Sequence, residues 1–243
     1  EDARSVEVIK PFLAGREIKR FIKSTGKSYI ILFPKGFTNQ MSINSKSPWK
    51  WLTEKYSAVA TYLKPFEEKG KKRYDQGDYW WELRSCDYYK EFITPKIMYA
   101  EIATKGQFQL DYDGYFSDTT SYIMPTDSRY LLGILNSTLV TFLFSKISST
   151  IRGGFLRWKK QYVETIPIKI IDDKNKSEKS LHDEIVKLVD TMLQLQQQKQ
   201  STTLPDQLQQ LQQRIAYTDD KINEKVYQLY GLSEEEVRLV EGR

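Results

Sequence analysis

A chain of 243 residues that is 40% hydrophobic and 13% aromatic has ample length for one large core or two small ones, and its net charge of +5 (pI ≈ 9.0) suits a polyanionic partner without demanding one. A single cysteine, Cys86, excludes an internal disulfide framework and a paired-cysteine zinc site, and it fits a reducing, cytoplasmic setting. A single histidine, His182, leaves little from which to build a catalytic triad or a histidine metal centre, and no apolar run approaches the length of a membrane span.

The start, EDARSVEVIK, is acidic and lacks Met, so it reads as a cut inside a longer chain and not as a signal peptide. SYIILF, closed by Pro34-Lys35-Gly36, predicts a buried strand. In SPWKWLTEKYSAVATYLKPFEEK, Ser47 caps and Pro48 opens a helix carrying Trp51, Tyr56, Val59, Tyr62 and Leu63 at helical spacing. PKIMYAEI predicts a strand, and FQLDYDGYFSDTTSYIM a hairpin turned at Asp113-Gly114. DSRYLLGILNSTLVTFLFSKI predicts one apolar helix capped by Asp127 or Ser128, and VETIPIKII an extended exit strand.

After the polar run Asp172–Ser177 the pattern changes. Leu181, Ile185, Leu188, Val189, Met192 and Leu195 mark one stripe of a long helix. Leu208, Leu211, Ile215, Ile222, Val226 and Leu229 mark a second, and the short loop near Ser201-Thr202-Thr203 makes the two an antiparallel hairpin. YGLSEEEV stops a helix at Gly231 and restarts one with a Ser233/Glu236 capping box. The expected fold is α+β: a mixed α/β recognition domain over residues 1–172, then a helical hairpin and short terminal helix over 177–243.

The most distinctive stretch is IRGGFLRWKKQY. From Ser128 to Val163 there is no acid, while Arg129, Lys146, Arg152, Arg157, Lys159 and Lys160 are cationic. Duplex binding needs cations that meet phosphates, polar groups for base edges and backbone that can come close. Arg152 and Arg157 offer planar forks, Gly153 and Gly154 let the main chain approach, Lys159 and Lys160 serve as phosphate anchors, and Trp158 or Tyr162 can pack on sugar. A second cluster is Lys69, Lys71, Lys72 and Arg73, followed by Tyr79, Trp80, Trp81 and Arg84, with the tryptophans expected in the core. A third is Thr104, Lys105 and Gln107, just after a strand. Each cluster alone is also what a solvated face looks like; the three together favour double-stranded DNA as partner.

No catalytic constellation emerges. His182 reads as a solvated helix residue, and neither a Gly-x-Gly loop nor a Pro-Pro pair exists to hold a nucleotide cofactor or an adenine. Glu17-x-Lys19 with Asp2 is a weak nuclease-like triplet, and Asp111, Asp113 and Asp118 read as hairpin-turn residues before cation ligands.

The order of VIKPFLAGREIKRF, YLKPFEEK, YDQGDYWWELR, YKEFITPKIMYAEI, SYIMPTDSRYLLGILNSTL, GGFLRWKKQYVETIPI and VYQLYGLSEEEV resembles the C-terminal target-recognition (specificity) domain of TaqI-like adenine-N6 DNA methyltransferases, above all of type IIG restriction-modification enzymes. The resemblance covers essentially the whole chain. It implies a module that clasps the duplex, reads the major groove and holds DNA while a catalytic domain flips out an adenine. It also likens the helical tail to the spacer and docking helices of type I specificity subunits. By this resemblance Arg152, Arg157, Lys159 and Lys160 contact phosphate or base, whereas YLLGILNSTL and PFLAG are scaffold. S-adenosylmethionine, with Mg²⁺ as a further candidate, and the N-terminal methyltransferase domain are expected of the parent enzyme, and the fragment itself is expected to hold no cofactor. The alternative is a protein-interaction module acting through the glutamine-rich hairpin.

Overall fold

The computed structural model describes residues 2–42 and 47–242, so Glu1 and Arg243, the outer bounds of the two expected domains, lie outside the described residues. The chain divides into two compact units. One comprises Glu1–Phe12, Gly26–Ile93 and Asp113–Phe116, the other Leu13–Thr25, Thr94–Tyr112 and Ser117–Arg243. Contacts therefore group the C-terminal helices with residues from the 94–172 region, whereas the sequence suggested a break between 172 and 177.

In the first unit β1 (Ile9–Phe12) and β2 (Ser28–Ile31) form a two-stranded antiparallel ladder in the register Ile9↔Ile31 to Phe12↔Ser28. Pro11 is accommodated because on the edge of β1 away from β2 it contributes only its carbonyl, which accepts from Phe116 N at 2.8 Å, so no N–H is needed from it there. The expected buried strand is only half covered, since a two-stranded ladder gives each strand one neighbour, and Tyr29 stays 69% exposed. Helices α1 (Phe37–Met41), α2 (Pro48–Lys55), α3 (Ser57–Leu63) and α4 (Glu67–Lys71) follow. The Ser47 hydroxyl caps α2 by accepting from Lys50 N at 3.4 Å. The single helix expected from Pro48 onward breaks at Tyr56 (φ −132°), whose ring is buried against Phe33 at 5.6 Å. Val8, Phe33, Leu52, Val59 and Trp81 complete this core.

In the second unit β3 (Lys96–Ala100), β4 (Ile102–Ala103), β5 (Phe108–Asp111) and β6 (Ser121–Met124) precede α5 (Arg129–Leu135), α6 (Thr138–Ile147), β7 (Thr150–Ile151), β8 (Phe155–Arg157), α7 (Lys160–Val163), α8 (Lys176–Ser201), α9 (Pro205–Tyr230) and α10 (Glu234–Glu241). The sheets have the orders β5-β3-β6 and β4-β8-β7. The hairpin expected at Asp113-Gly114 does not form: β5 and β6 each pair with β3. All five residues of β3 are buried, which makes it the centre of its sheet. The chain between β5 and β6 instead carries Tyr115 and Phe116 into the first unit, where Phe116 stacks on Phe92 at 4.8 Å.

The expected single apolar helix is two, bent by 59°. Ser128 caps α5 through Leu131 N, and Ser137 caps α6 through Val140 N, both at 3.2 Å. Buried Asn136 at the bend clamps Phe108, accepting from its N–H at 3.1 Å and donating to its carbonyl at 2.9 Å. The expected exit strand after Val163 is unpaired, and its backbone is held by side chains: Tyr130 Oη donates to Lys169 O at 2.8 Å and Tyr230 Oη to Pro167 O at 2.7 Å.

Helices α8 and α9 form the expected hairpin, joined by residues 202–204. Ile185, Val189, Met192, Ile222 and Val226 enter the same core as Leu132, Ile134 and Phe144 of α5 and α6. A Cβ at Gly133 would lie 2.9 Å from the methyls of Ile185 and Val189, so glycine is what brings α5 and α8 this close. Arg129 Nε to Asp190 at 2.7 Å and Thr138 N to Asn223 Oδ1 at 2.8 Å add polar ties. The stripe that would dock a partner helix is thus consumed within the chain. The Ser233/Glu236 capping box of α10 forms as read.

Candidate nucleic-acid interface

The opening cationic stretch folds into a β-hairpin. Ile151 pairs with Phe155, leaving Arg152, Gly153 and Gly154 as a three-residue tip. Both glycines occupy the left-handed region (φ +90° and +76°), which an L side chain enters at a cost of about 1–2 kcal/mol. A Cβ on Gly154 would meet nothing within 4 Å, so backbone geometry, not crowding, selects glycine there. The tip is solvent-exposed, with Arg152 beside bare main chain.

Alternation along β8 sorts the rest of the stretch. Leu156 is buried, while Phe155 (41% exposed) and half-buried Arg157 turn to the opposite face, where Arg157 lies across from exposed Ile102. Trp158 does not reach for sugar. It is 1% exposed, stacks on Phe144 at 3.9 Å and donates through its indole N–H to Ala103 O at 3.2 Å. Tyr162 is half-buried against the same core. Lys159 precedes α7, and exposed Lys160 pairs with Glu164 at 2.8 Å, which raises the Lys160 pKa. Thr104 and Lys105 are exposed and Gln107 is half-buried on the loop after β4, a strand that pairs with β8. The two unit-two clusters thus belong to one small sheet and its loops.

In the first unit the second cluster is only partly available. Arg73 is not a free cation: its Nη2 donates to Trp80 O at 3.1 Å and Glu82 O at 2.7 Å, making it a loop strut. Lys71 is exposed and pairs with Glu67 at 2.8 Å, and Lys72 and Arg84 are exposed. Trp80 and Trp81 pack as expected, Trp81 stacking on Tyr79 at 4.8 Å.

Two features here escaped sequence reading. Glu82, fully buried, accepts N–H groups from Gly36 at 3.1 Å, Thr38 at 2.8 Å and Asp78 at 2.8 Å, which compensates its desolvation. Tyr74 is wholly exposed beside the Arg73 strut, and its signal was a tyrosine inside a cationic run.

The weak acidic candidates are structural. Glu17 caps Ala14 N at 2.8 Å, Asp2 accepts from Ser5 Oγ at 2.6 Å, and Asp118 accepts from Thr120 N at 2.9 Å. Asp111 is no exposed turn residue, being buried in an ion pair with Lys96. His182 is not simply solvated: its ring lies 4.7 Å from that of Tyr130 and its Nδ1 is 2.9 Å from Asp183. Among the described residues no group of three or more His, Cys, Asp or Glu side chains is placed to hold a metal ion.

Small antiparallel sheets, a basic hairpin and a docked pair of long helices make a mixed α+β fold. The sequence matches the TaqI-like C-terminal specificity domain over residues 10–168, well over half of its length, and the chain belongs to that family. Among solved structures it is similar to the type IIL restriction-modification enzyme MmeI in complex with DNA, with a TM-score of 0.60 at 11% identity. That alignment takes in 100% of this chain and 32% of the MmeI chain, so this chain spans about a third of that protein, and the likeness is one of fold. No curated protein matches the sequence.

Proposed function

We propose that this chain recognises a specific duplex DNA sequence as the specificity module of a restriction-modification enzyme, with the β7–β8 hairpin as its leading edge. The observation that carries the proposal is the hairpin tip. Within a family of specificity domains, an exposed arginine and two left-handed glycines project from a strand whose alternate residues anchor the core. An exposed hairpin tip with cationic flanks, at one end of the three-stranded β4-β8-β7 sheet, is a shape that a DNA groove admits. Arg152 and Arg157 supply forks for phosphate or guanine, Lys159, Lys160 and Lys105 supply charge, and Thr104 and Gln107 supply polar groups for base edges. Lys72 and Arg84, with Lys71 already paired to Glu67, are a separate exposed cationic set belonging to the first unit alone.

The reaction this recognition serves is adenine-N6 methylation, with or without cleavage, by catalytic domains outside this chain. S-adenosylmethionine, with Mg²⁺ as a further candidate, is the cofactor expected of those domains. This chain's own residues hold and orient the duplex so that the target base can leave the stack.

Fluorescence anisotropy with a labelled duplex across a salt series tests the proposal. The logarithm of affinity should fall linearly with the logarithm of salt, and the Arg152→Ala/Arg157→Ala double variant should lower that slope by about 2 if both arginines meet phosphates. A duplex affinity indifferent to salt, or a double variant identical to the parent, would refute it.

A further inference from the structure

We infer that the cavity between the body of the second unit and its helical hairpin is a phosphate site that extends the duplex contact onto α8; the inference rests on the DNA-recognition reading above. The cavity has a volume of ≈ 300 Å³, at the small end of ligand sites and ample for a phosphodiester with its water. Its walls come from two places. Arg20, Phe21 and Lys105 belong to the region that matches the family, while Gln196, Lys199, Gln212 and Asp219 belong to α8 and α9, beyond the match that ends at residue 168.

The charges in it are unequally committed. Arg20 donates Nε and Nη2 to Asn136 O at 2.9 and 2.5 Å and Nη1 to Asp219 at 2.5 Å, so it cancels the one carboxylate in the wall. Lys105 and Lys199 then remain, with no ion pair to either among the described residues, and the cavity has an excess of two positive charges. The Gln196 and Gln212 amides supply neutral N–H donors, an environment suited to an anion held by direct and water-mediated bonds.

Backbone strain marks the same spot. Phe21, almost fully buried, has φ +59°, the one non-glycine residue in the left-handed region among those described. For a bulky side chain this is a true outlier, and outliers of this kind cluster where geometry serves a purpose. Here the turn is held by Phe21 N donating to Phe108 O at 3.0 Å, and it sets the Arg20 guanidinium 5.0 Å over the Phe21 ring, facing Asp219. A backbone phosphate of DNA is the ligand favoured over an acidic peptide because Lys105 lies on the Thr104–Gln107 loop that already belongs to the proposed interface.

The test measures duplex binding by this chain and by Lys199→Ala, Lys105→Ala and the control Lys187→Ala, an exposed lysine of α8 that does not line the cavity. Lys199→Ala and Lys105→Ala should each weaken binding about three- to tenfold at about 0.15 M salt and reduce the salt slope by about 1, with the control unchanged. Orthophosphate, a probe of the same anion chemistry, should compete with duplex for the parent more than for Lys199→Ala. The inference is overturned if Lys199→Ala behaves as Lys187→Ala does. It is overturned equally if orthophosphate stabilises the parent but not Lys199→Ala while duplex binding stays the same, which marks a free-anion site. Polyglutamate that binds the parent but not Lys199→Ala, with duplex binding the same in both, overturns the inference in favour of an acidic protein partner. Failure of the parent itself to bind any duplex overturns the recognition reading and this inference with it.

Discussion

Asn136→Ala separates scaffold from DNA contact in the YLLGILNSTL motif. Asn136 is 2% exposed, and its side-chain amide closes a two-way clamp on the Phe108 backbone. Truncation leaves the buried Phe108 N–H without its acceptor, while the Phe108 carbonyl keeps the N–H of Phe21 at 3.0 Å. An orphaned buried donor costs about 1–3 kcal/mol and the second lost bond about 1 kcal/mol more, so the variant should be less stable by about 2–4 kcal/mol. In urea, followed by far-ultraviolet circular dichroism, the midpoint should fall by about 1 M with the slope unchanged. Duplex affinity measured well below the transition should stay within about twofold of the parent. An unchanged midpoint would refute the clamp, and a stable variant that has lost DNA would show the motif to be part of the interface.

Arg73→Ala should lower stability, because it withdraws donors from Trp80 O and Glu82 O, and should leave the salt slope of DNA binding as it is; Lys72→Ala should do the reverse. Gly133→Ala places a Cβ 2.9 Å from Ile185 and Val189 and should cost about 1–3 kcal/mol, read as a lower melting temperature. Replacing Gly153 and Gly154 together by Val should weaken DNA binding and also lower the melting temperature, because each β-branched residue at these positive φ angles costs about 1–2 kcal/mol even though the tip is exposed. Stability should also fall in acid. Hydrogen bonds led by that from Ser5 hold the Asp2 carboxyl at about 2, below its usual 3.8, and bonds from Lys64 and Lys71 hold Glu67 at about 2, below 4.5. Because the folded values lie below the unfolded ones, these groups stabilise the protein above the unfolded values, and that contribution drains away as pH drops toward about 2. A melting temperature constant between pH about 5 and about 2 would contradict this.

What local rules govern was legible in the sequence. Ser47, Ser128 and Ser233 cap where expected, Gly231 stops α9, and the leucine stripes of α8 and α9 face the core through the glutamine-rich stretch, because capping and periodicity depend only on near neighbours. The misreadings share a nonlocal cause. The Asp113-Gly114 turn lost to the pull of β3, which pairs on both sides, and the long apolar helix broke where Asn136 serves a distant backbone. Trp158, adjacent in sequence to Arg157, went to the core because alternation along the strand sends neighbours to opposite faces. Arg73 looked like a ligand cation because its acceptors are carbonyls, which composition never displays. The composite cavity was invisible for a similar reason: Arg20, Lys105 and Lys199 are drawn together only by the docking of α8 on the body.

Whether this polypeptide chooses among sequences can be asked of it directly. Incubated with a random-duplex pool and carried through repeated rounds of capture and amplification, it should retain molecules that converge on one short shared motif, and the Arg152→Ala/Arg157→Ala variant should fail to enrich that motif. A captured pool as random as the starting one, or no captured DNA at any salt concentration, would contradict its assignment as a specificity module.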